Sequence, residues 1–88
     1  MKYYKDLQKI KELINELNKI IAALNETNEL IIEAIKYDFN LEYRDIYKKM
    51  GISRQHFYFY KKNPHWRFNL KLLNLYFKLC EEQQQQSK

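Results

Sequence analysis

Residues 41–64 are LEYRDIYKKMGISRQHFYFYKKNP, a segment that holds the only glycine and the only proline of the chain. Apolar residues at helical spacing predict a short amphipathic helix over residues 41–50. Gly51 follows it, at the position where a left-handed residue closes a helix, and Ser53 is a preferred helix N-cap. A second helix over residues 54–62 is ended by the Asn-Pro pair. Two short helices joined by a glycine turn form a helix-turn-helix.

The length of 88 residues leaves room for one domain and excludes large enzyme scaffolds such as the Rossmann fold and the TIM barrel. Turn residues are too scarce for an all-β fold. The chain has no Gly-rich phosphate loop, no metal-binding Cys or His motif, and no nucleophile beside an oriented histidine. We therefore expect no enzyme activity, no cofactor, no metal site and no small-molecule ligand.

Targeting signals are also missing from the sequence. It contains no run of 18 apolar residues and no apolar segment near its start, so neither a membrane span nor a signal peptide is expected. The lone Cys80 can form no internal disulfide. These features favour a reducing compartment, and we expect a cytoplasmic location in a bacterial cell or its nucleoid.

The positive charge is concentrated in one half of the sequence. Residues 1–40 contain six lysines and seven acids, whereas residues 41–80 contain nine lysines and arginines against two acids. The net charge of +5 for the whole chain therefore includes +7 on the segment with the helix-turn-helix. A basic segment of this kind favours binding to phosphate groups.

The first half of the chain predicts a long amphipathic helix. Apolar residues alternate at steps of four and three from Tyr3 to Leu24, and the same phase continues to Ile35. This is the a/d heptad pattern of a helix that pairs with another helix. We predict that residues 1–27 form a dimerisation helix. Its contacts are expected from Leu7, Ile10, Ile14, Leu17, Ile21, Leu24 and Asn28.

Asn28 allows two interpretations. Because the heptad phase continues past it, we favour one continuous helix in which Asn28 is a buried polar residue that fixes register and oligomeric state. The alternative is that the first helix ends near residues 25–28 and that Thr27 or Asn28 caps a new helix. Leu13 and Ile20 lie beside the seam and widen it, which suits a bundle, or a helix that packs on its own domain as well as on a partner.

The last helix is predicted to carry two apolar stripes. We expect Leu70, Leu73 and Phe77 to close the core of the helix-turn-helix, with Trp66 and Phe68 as lids over it. The second stripe is expected to meet the first helix or another subunit. It consists of Leu72, Leu75, Tyr76 and Leu79.

The expected architecture is all-α, a helical bundle with a helix-turn-helix preceded by a long coiled-coil-like helix. The dimerisation helix occupies residues 1–27, and the helix-turn-helix domain occupies residues 28–82. Residues 83–88, which are rich in glutamine, are expected to form a disordered polar tail.

Residues 28–80 resemble the helix-turn-helix family of the phage Cro and lambda-repressor type. In that family an apolar residue, a glycine and another apolar residue link the two helices, as Met50-Gly51-Ile52 do here. Two buried apolar positions follow at the spacing of Phe57 and Tyr60. The chain departs from the family at Tyr47, where Ala or Gly is usual because the helices cross closely. Either the two helices are spaced differently here or Tyr47 points aside.

The resemblance implies sequence-specific binding to double-stranded DNA, with bases touched at the positions of Arg54, Gln55 and Phe59. The start of the second helix enters the major groove in this class, and Arg and Gln suit guanine and adenine edges. We predict base contacts from Arg54, Gln55, His56, Tyr58 and Phe59. Contacts to the DNA backbone, which set register without reading sequence, are predicted from Tyr43, Arg44, Ser53, Lys61, Lys62, Asn63, His65 and Arg67.

The sequence thus predicts a homodimeric transcriptional regulator, a repressor for example, of a phage, plasmid or other mobile element that binds an inverted-repeat operator. At most two of the four aromatic residues 57–60 can face a core, so the others need a partner surface. That partner is DNA in the first hypothesis. In the alternative, the chain is a small protein-interaction module or inhibitor whose basic and aromatic surface binds a protein.

Overall fold

The computed structural model describes residues 1–86, and within this range all regular secondary structure is α-helical, as the sequence predicts. The helices are α1 (Tyr4–Glu26), α2 (Asn28–Phe39), α3 (Tyr43–Met50), α4 (Arg54–Lys62) and α5 (Trp66–Gln86). Helices α2 to α5 surround one core, and α1 joins them only through its last turns.

The first helix of the helix-turn-helix begins two residues later than predicted. Asn40 takes a left-handed conformation with φ 53° and ends α2. Glu42 is extended and precedes the first residue of α3, Tyr43. Leu41 therefore packs against the core from the connection between the two helices and not from α3.

The turn between α3 and α4 has the predicted chemistry. Gly51 has φ 71°, in the left-handed region that a side chain disfavours. The amide of Ile52 donates to the Tyr47 carbonyl at 3.1 Å, a hydrogen bond that closes a helix in the Schellman manner. Ser53 then caps α4, because its Oγ accepts from the His56 amide at 3.1 Å.

We expect Gly51→Ala to lower the free energy of unfolding by about 1 to 2 kcal/mol, the penalty for a left-handed residue with a side chain. Apart from the two neighbouring residues, nothing lies within 4 Å of the place that its Cβ would take, so the backbone conformation causes the loss. Urea denaturation measures it. Asn40→Gly, at the other left-handed residue, is the matched control and should cause no loss; an equal loss at both sites would contradict this explanation.

The core is built from apolar side chains of all four packed helices. Phe57 is fully buried, and the ring of Tyr47 packs against it with 5.9 Å between the centroids. Tyr47 therefore does not point aside, and the α3–α4 contact accommodates an aromatic ring. The other side chains that are almost fully buried in this core are Ile32, Ile35, Ile46 and Leu72.

The stripe of α5 that faces the core is not the predicted one. Leu70 and Phe77, which we expected to close the core, are 39% and 56% exposed, and Leu73 is only partly buried. The buried side chains of α5 include Phe68, Asn69, Leu72 and Leu79. Most of the predicted second stripe thus faces the core, because α5 is rotated so that the amide of Asn69 reaches the end of α1.

A hydrogen bond also holds α5 against α2. The Tyr76 hydroxyl donates to Asp38 Oδ2 at 2.6 Å, and the ring of Phe39 meets that of Tyr76 edge-on. The hydrogen bond to the carboxylate favours the protonated phenol and raises the pKa of Tyr76 to about 12. The phenol therefore stays protonated, and able to donate this hydrogen bond, to a higher pH than an ordinary tyrosine.

The continuous N-terminal helix that we favoured is wrong: the chain breaks at Thr27, as in the alternative, although Thr27 occupies the N-cap position of α2 without a capping hydrogen bond from its side chain. Its hydroxyl donates to the Leu24 carbonyl at 2.8 Å, and α2 starts at the next residue. Asn69 Nδ2 donates to the carbonyls of Leu24 and Asn25 in the last turn of α1, where the break interrupts the regular helical hydrogen bonds. The heptad phase continues past the break only because Ile31 and Ile35 face the core of the same chain.

The ends of the chain differ in their packing. Helix α5 continues to Gln86, so residues 83–86 of the predicted disordered tail are helical, and residues 87 and 88 lie outside the described residues. At the other end, every residue of 1–20 is exposed. The molecule measures 59 × 35 × 20 Å, and its radius of gyration of 17.6 Å exceeds the about 12 Å of a compact chain of this length.

Candidate nucleic-acid interface

Helix α4 has one face in the core and the opposite face in solvent. Phe57 is fully buried, and its neighbours Tyr60 and Lys61 are half-buried. A helix turns by about 100° per residue, so a second set of side chains points away from this core. This outer face consists of Gln55, Phe59 and Lys62, all of which are exposed.

The residues predicted to contact bases are all accessible. Phe59 is 59% exposed and Tyr58 is 40% exposed, which is high for aromatic side chains in a folded protein. The Arg54 guanidinium lies 5.6 Å from the centre of the Tyr58 ring. His56, on the other flank, lies against Tyr60 with 4.9 Å between the ring centroids. The first turn of α4 therefore exposes the guanidinium of Arg54 and the amide of Gln55, with the Tyr58 ring next to Arg54 and the His56 ring against Tyr60.

Lys61 and Lys62 are adjacent in sequence but lie in different environments. Lys61 is half-buried, and its Nζ is 4.5 Å from the centre of the Tyr43 ring, with Lys36 Nζ at the same distance. Glu29 and Glu33 line the same shallow groove as Lys61. Lys61 is therefore held against its own domain by cation–π attraction, whereas Lys62 extends from the outer face of α4.

Carboxylates occupy the start of α3. Asp45 Oδ2 accepts from the Glu42 amide at 3.0 Å in a capping box. Two negative side chains at this helix end oppose the attraction of its dipole for a phosphate. Of the two predicted backbone contacts here, Arg44 is exposed, whereas Tyr43 is half-buried between two lysines.

The connection from α4 to α5 uses several predicted contact residues for its own structure. Asn63 Nδ2 donates to the Phe59 carbonyl at 3.1 Å, and His65 Nδ1 accepts from the Arg67 amide at 3.1 Å. Their remaining polar atoms and the Arg67 side chain stay accessible, because all three residues are exposed. Beside them is a groove of about 350 Å³, whose exposed polar lining is His56, His65, Arg67 and Lys71.

The predicted dimerisation residues, which extend from α1 to the first residue of α2, divide into three groups. Ile21 and Leu24 are half-buried against the same chain. Asn28 is 2% exposed, and its Nδ2 donates to the Lys61 carbonyl at 3.0 Å, so its assignment to a dimer seam is wrong. The members that no part of the same chain covers are each 50 to 62% exposed; they are Leu7, Ile10, Ile14 and Leu17.

The sequence analysis missed the positioning role of two asparagines. Asn28 satisfies a carbonyl in the last turn of α4, and Asn69 satisfies the last carbonyls of α1. Asn28 therefore fixes the end of α4 against the start of α2, and Asn69 fixes α5 against the end of α1. The only available signal is an amide side chain inside an apolar helical pattern, and Asn74 shows the same signal but is exposed.

Comparison with known proteins adds no family assignment. No protein-family model matches this chain, and neither a curated protein nor a solved structure is significantly similar to it. Over residues 1–86, no helix is both long enough and apolar enough to cross a membrane. In the same range no three His, Cys, Asp or Glu side chains are grouped as a metal site would require.

Proposed function

We propose that this protein is a sequence-specific, double-stranded DNA-binding protein of the Cro and lambda-repressor type that acts as a homodimer. It regulates transcription for a phage, plasmid or other mobile element, in the bacterial cytoplasm or nucleoid. Helix α4 enters the major groove, and two copies bind the halves of an inverted repeat. The protein binds and does not catalyse.

One observation carries this proposal: the outer face of α4 is exposed to solvent, and its side chains are of the types that contact DNA. Gln55 can pair with an adenine edge and Lys62 can reach a phosphate, while the exposed Phe59 can contact a thymine methyl group. The net charge of +7 over residues 41–80 supplies attraction to the phosphate backbone.

The direct test is selection of binding sites from random-sequence duplexes, followed by fluorescence anisotropy. We expect an inverted repeat to be enriched. Gln55→Ala should weaken binding to the selected site and relax the preference for one base pair, because a bidentate amide–base contact discriminates by about 1 to 3 kcal/mol. Its affinity for random duplexes should stay close to that of the parent protein. Absence of binding to any duplex at low salt would refute the proposal.

The two adjacent lysines provide a matched pair of variants. Lys62→Ala should weaken binding to all duplexes alike and reduce the slope of log affinity against log salt by about 1. Lys61→Ala should leave that slope unchanged, because its ammonium is held over Tyr43. Loss of the cation–π contact should instead lower the free energy of unfolding by about 0.5 to 1 kcal/mol. Equal salt slopes for the two variants would contradict this assignment of phosphate contacts.

The alternative function is a protein-interaction module, and the aromatic character of α4 favours it. Phe59 and Tyr58 are unusually exposed, and aromatic residues are enriched in protein interfaces. The acidic start of α3 also reduces the attraction for DNA at that point. Under this alternative, Phe59→Ala abolishes capture of a protein partner, and no duplex binds.

A further inference from the structure

The N-terminal part of α1 is an apolar surface without a cover. Eight large apolar side chains of residues 3–20 are each 50 to 62% exposed. Together they expose on the order of 800 Å², as much as one partner contributes to a standard protein interface. Patches of this size on a monomer mark a docking surface.

The same apolar stripe is partly buried in the last turns of α1, where α5 of the same chain packs against it. Ile21 and Leu24 continue the heptad spacing into the last turns of α1, and there they are half-buried, next to Asn69 of α5. The five turns before them project beyond the domain. The stripe therefore needs a second helix along its first 20 residues, and the fold of one chain does not supply it.

A second copy of the chain is the occupant that this surface fits. Residues 1–26 contain five lysines and four acids, so two copies of α1 repel each other little. The heptad spacing is the spacing by which helices of equal pattern interlock. An unrelated partner would need the same pattern, which the second copy already has.

The flanks of the stripe set the orientation of the two helices. Leu13 and Ile20 lie on one flank, and Lys11 and Asn18 lie on the other. In a parallel pair, opposite flanks of the two helices face each other, so Leu13 and Ile20 meet polar side chains. In an antiparallel pair, like flanks face each other. With Leu7 opposite the partner's Leu24, each Leu13 lies beside the partner's Ile20, so all four apolar flank residues are buried together.

One charge pair favours the parallel orientation, but it is the weaker effect. In a parallel pair Asp6 would face the partner's Lys11. An exposed ion pair contributes several-fold less than the burial of an apolar side chain, and four apolar side chains gain a cover in the antiparallel pair. We propose that two copies associate through antiparallel packing of α1, along residues 7–24. This inference deepens the homodimer of the proposed function and does not depend on DNA binding.

Antiparallel packing also brings each α1 N-terminus to the domain of the other copy. Helix α5 begins beside the last turn of α1, and Leu70, one residue after Asn69, is 39% exposed there. The partner's Tyr3 and Leu7 then approach this end of the domain, where Leu70 is exposed. In a parallel pair they would lie far from it.

Distances between spin labels distinguish the two orientations in the full chain. Lys5 and Lys19 lie on the side of α1 opposite the stripe and are exposed, so labels there do not disturb the interface. The background is Cys80→Ser, since this is the only native thiol. With a rise of 1.5 Å per residue, antiparallel packing predicts about 30 Å or more between two Lys5→Cys labels. It predicts about 20 Å between Lys5→Cys and Lys19→Cys labels in mixed dimers.

The reverse pattern, a short distance between the two Lys5→Cys labels and a long one in mixed dimers, would overturn the antiparallel pairing and leave the proposed homodimer standing. A monomer by light scattering, with no dipolar coupling at any concentration, would overturn the pairing and the homodimer together. DNA binding is measured separately on the same samples, so its failure is recognised independently.

Two variants provide a second measurement of the orientation. Leu13→Ser combined with Ile20→Ser should weaken dimerisation by about 100-fold, because both flank residues are buried only in the antiparallel pair. Asp6→Lys should change the dimer affinity less than about 3-fold, whereas in a parallel pair it would place two lysines face to face. A strong loss with Asp6→Lys and a weak one with the double variant would refute the proposal.

Discussion

Phe57→Ala is expected to lower the free energy of unfolding by about 3 to 5 kcal/mol, the range for removal of a buried aromatic ring. Phe57 is 0% exposed, and the rings of Tyr43, Tyr47 and Phe68 each lie 5.9 Å from its centroid. The variant therefore loses the buried apolar surface of the ring and its contacts with three other rings, and a cavity remains in their place. Because a small domain has about 5 to 15 kcal/mol in total, the variant should retain about 0 to 12 kcal/mol and unfold at a clearly lower urea concentration than the parent protein.

Phe59→Ala is the matched control, since it makes the same chemical change two residues away on the same helix. Phe59 is largely exposed and packs on α4 itself, against Tyr60. Its replacement should change the free energy of unfolding by less than about 0.5 kcal/mol. Urea denaturation followed by circular dichroism measures both, and the milder Phe57→Leu keeps the comparison measurable if Phe57→Ala does not fold. Equal losses at the two positions would show that the assignment of core and outer face is wrong.

The helix-turn-helix could be predicted from the sequence because its signals are local. Gly51 and Ser53 act through their own backbone conformation and hydrogen bonds, and the structure confirms both roles. The positions of Phe57 and Phe59 on opposite sides of α4 follow from helical periodicity alone. Such features need no knowledge of the distant parts of the chain.

The wrong predictions, the continuous first helix and the core-facing stripe of α5, both depend on contacts between residues that are far apart in the sequence. The heptad pattern of α1 and α2 is one apolar stripe, and it is the same whether the stripe meets another chain or the core of its own domain. Asn28 and Ile35 meet their own core, while Leu7 does not. In α5, two stripes fit the periodicity equally well, and Asn69, whose partners are 44 and 45 residues away, decides between them.

The residue types of the candidate interface could be predicted from the sequence, but which of these side chains are exposed could not. Lys61 and Lys62 are equivalent in sequence, yet only the fold shows that Lys61 lies over the Tyr43 ring, which Lys36 also contacts. In His65, Nδ1 accepts a hydrogen bond from the Arg67 amide at the start of α5, so that ring nitrogen is not available to DNA. Charge and composition thus identify a basic segment, and packing selects which of its cations remain available.

Raising the salt concentration from about 50 to 200 mM should reduce DNA affinity by about 1,000-fold or more, if a dimer makes at least about six phosphate contacts. Each copy offers exposed cations on and around α4, so this number needs only three contacts per chain. The exposed candidates are Arg44, Lys48, Lys49, Arg54, Lys62 and Arg67. Release of counterions from the duplex causes the effect, and it is independent of DNA sequence.

Titration of a labelled duplex at several salt concentrations gives the slope, and its size separates the two proposed functions. A steep slope with random and selected duplexes alike is the signature of phosphate contacts. The dimer-disrupting variant Leu13→Ser with Ile20→Ser is the matched control, because it keeps the cations of each chain and should show about half the slope per bound unit. A flat salt response would mean that the exposed cations do not meet phosphates, and the aromatic surface of α4 would then be assigned to a protein partner.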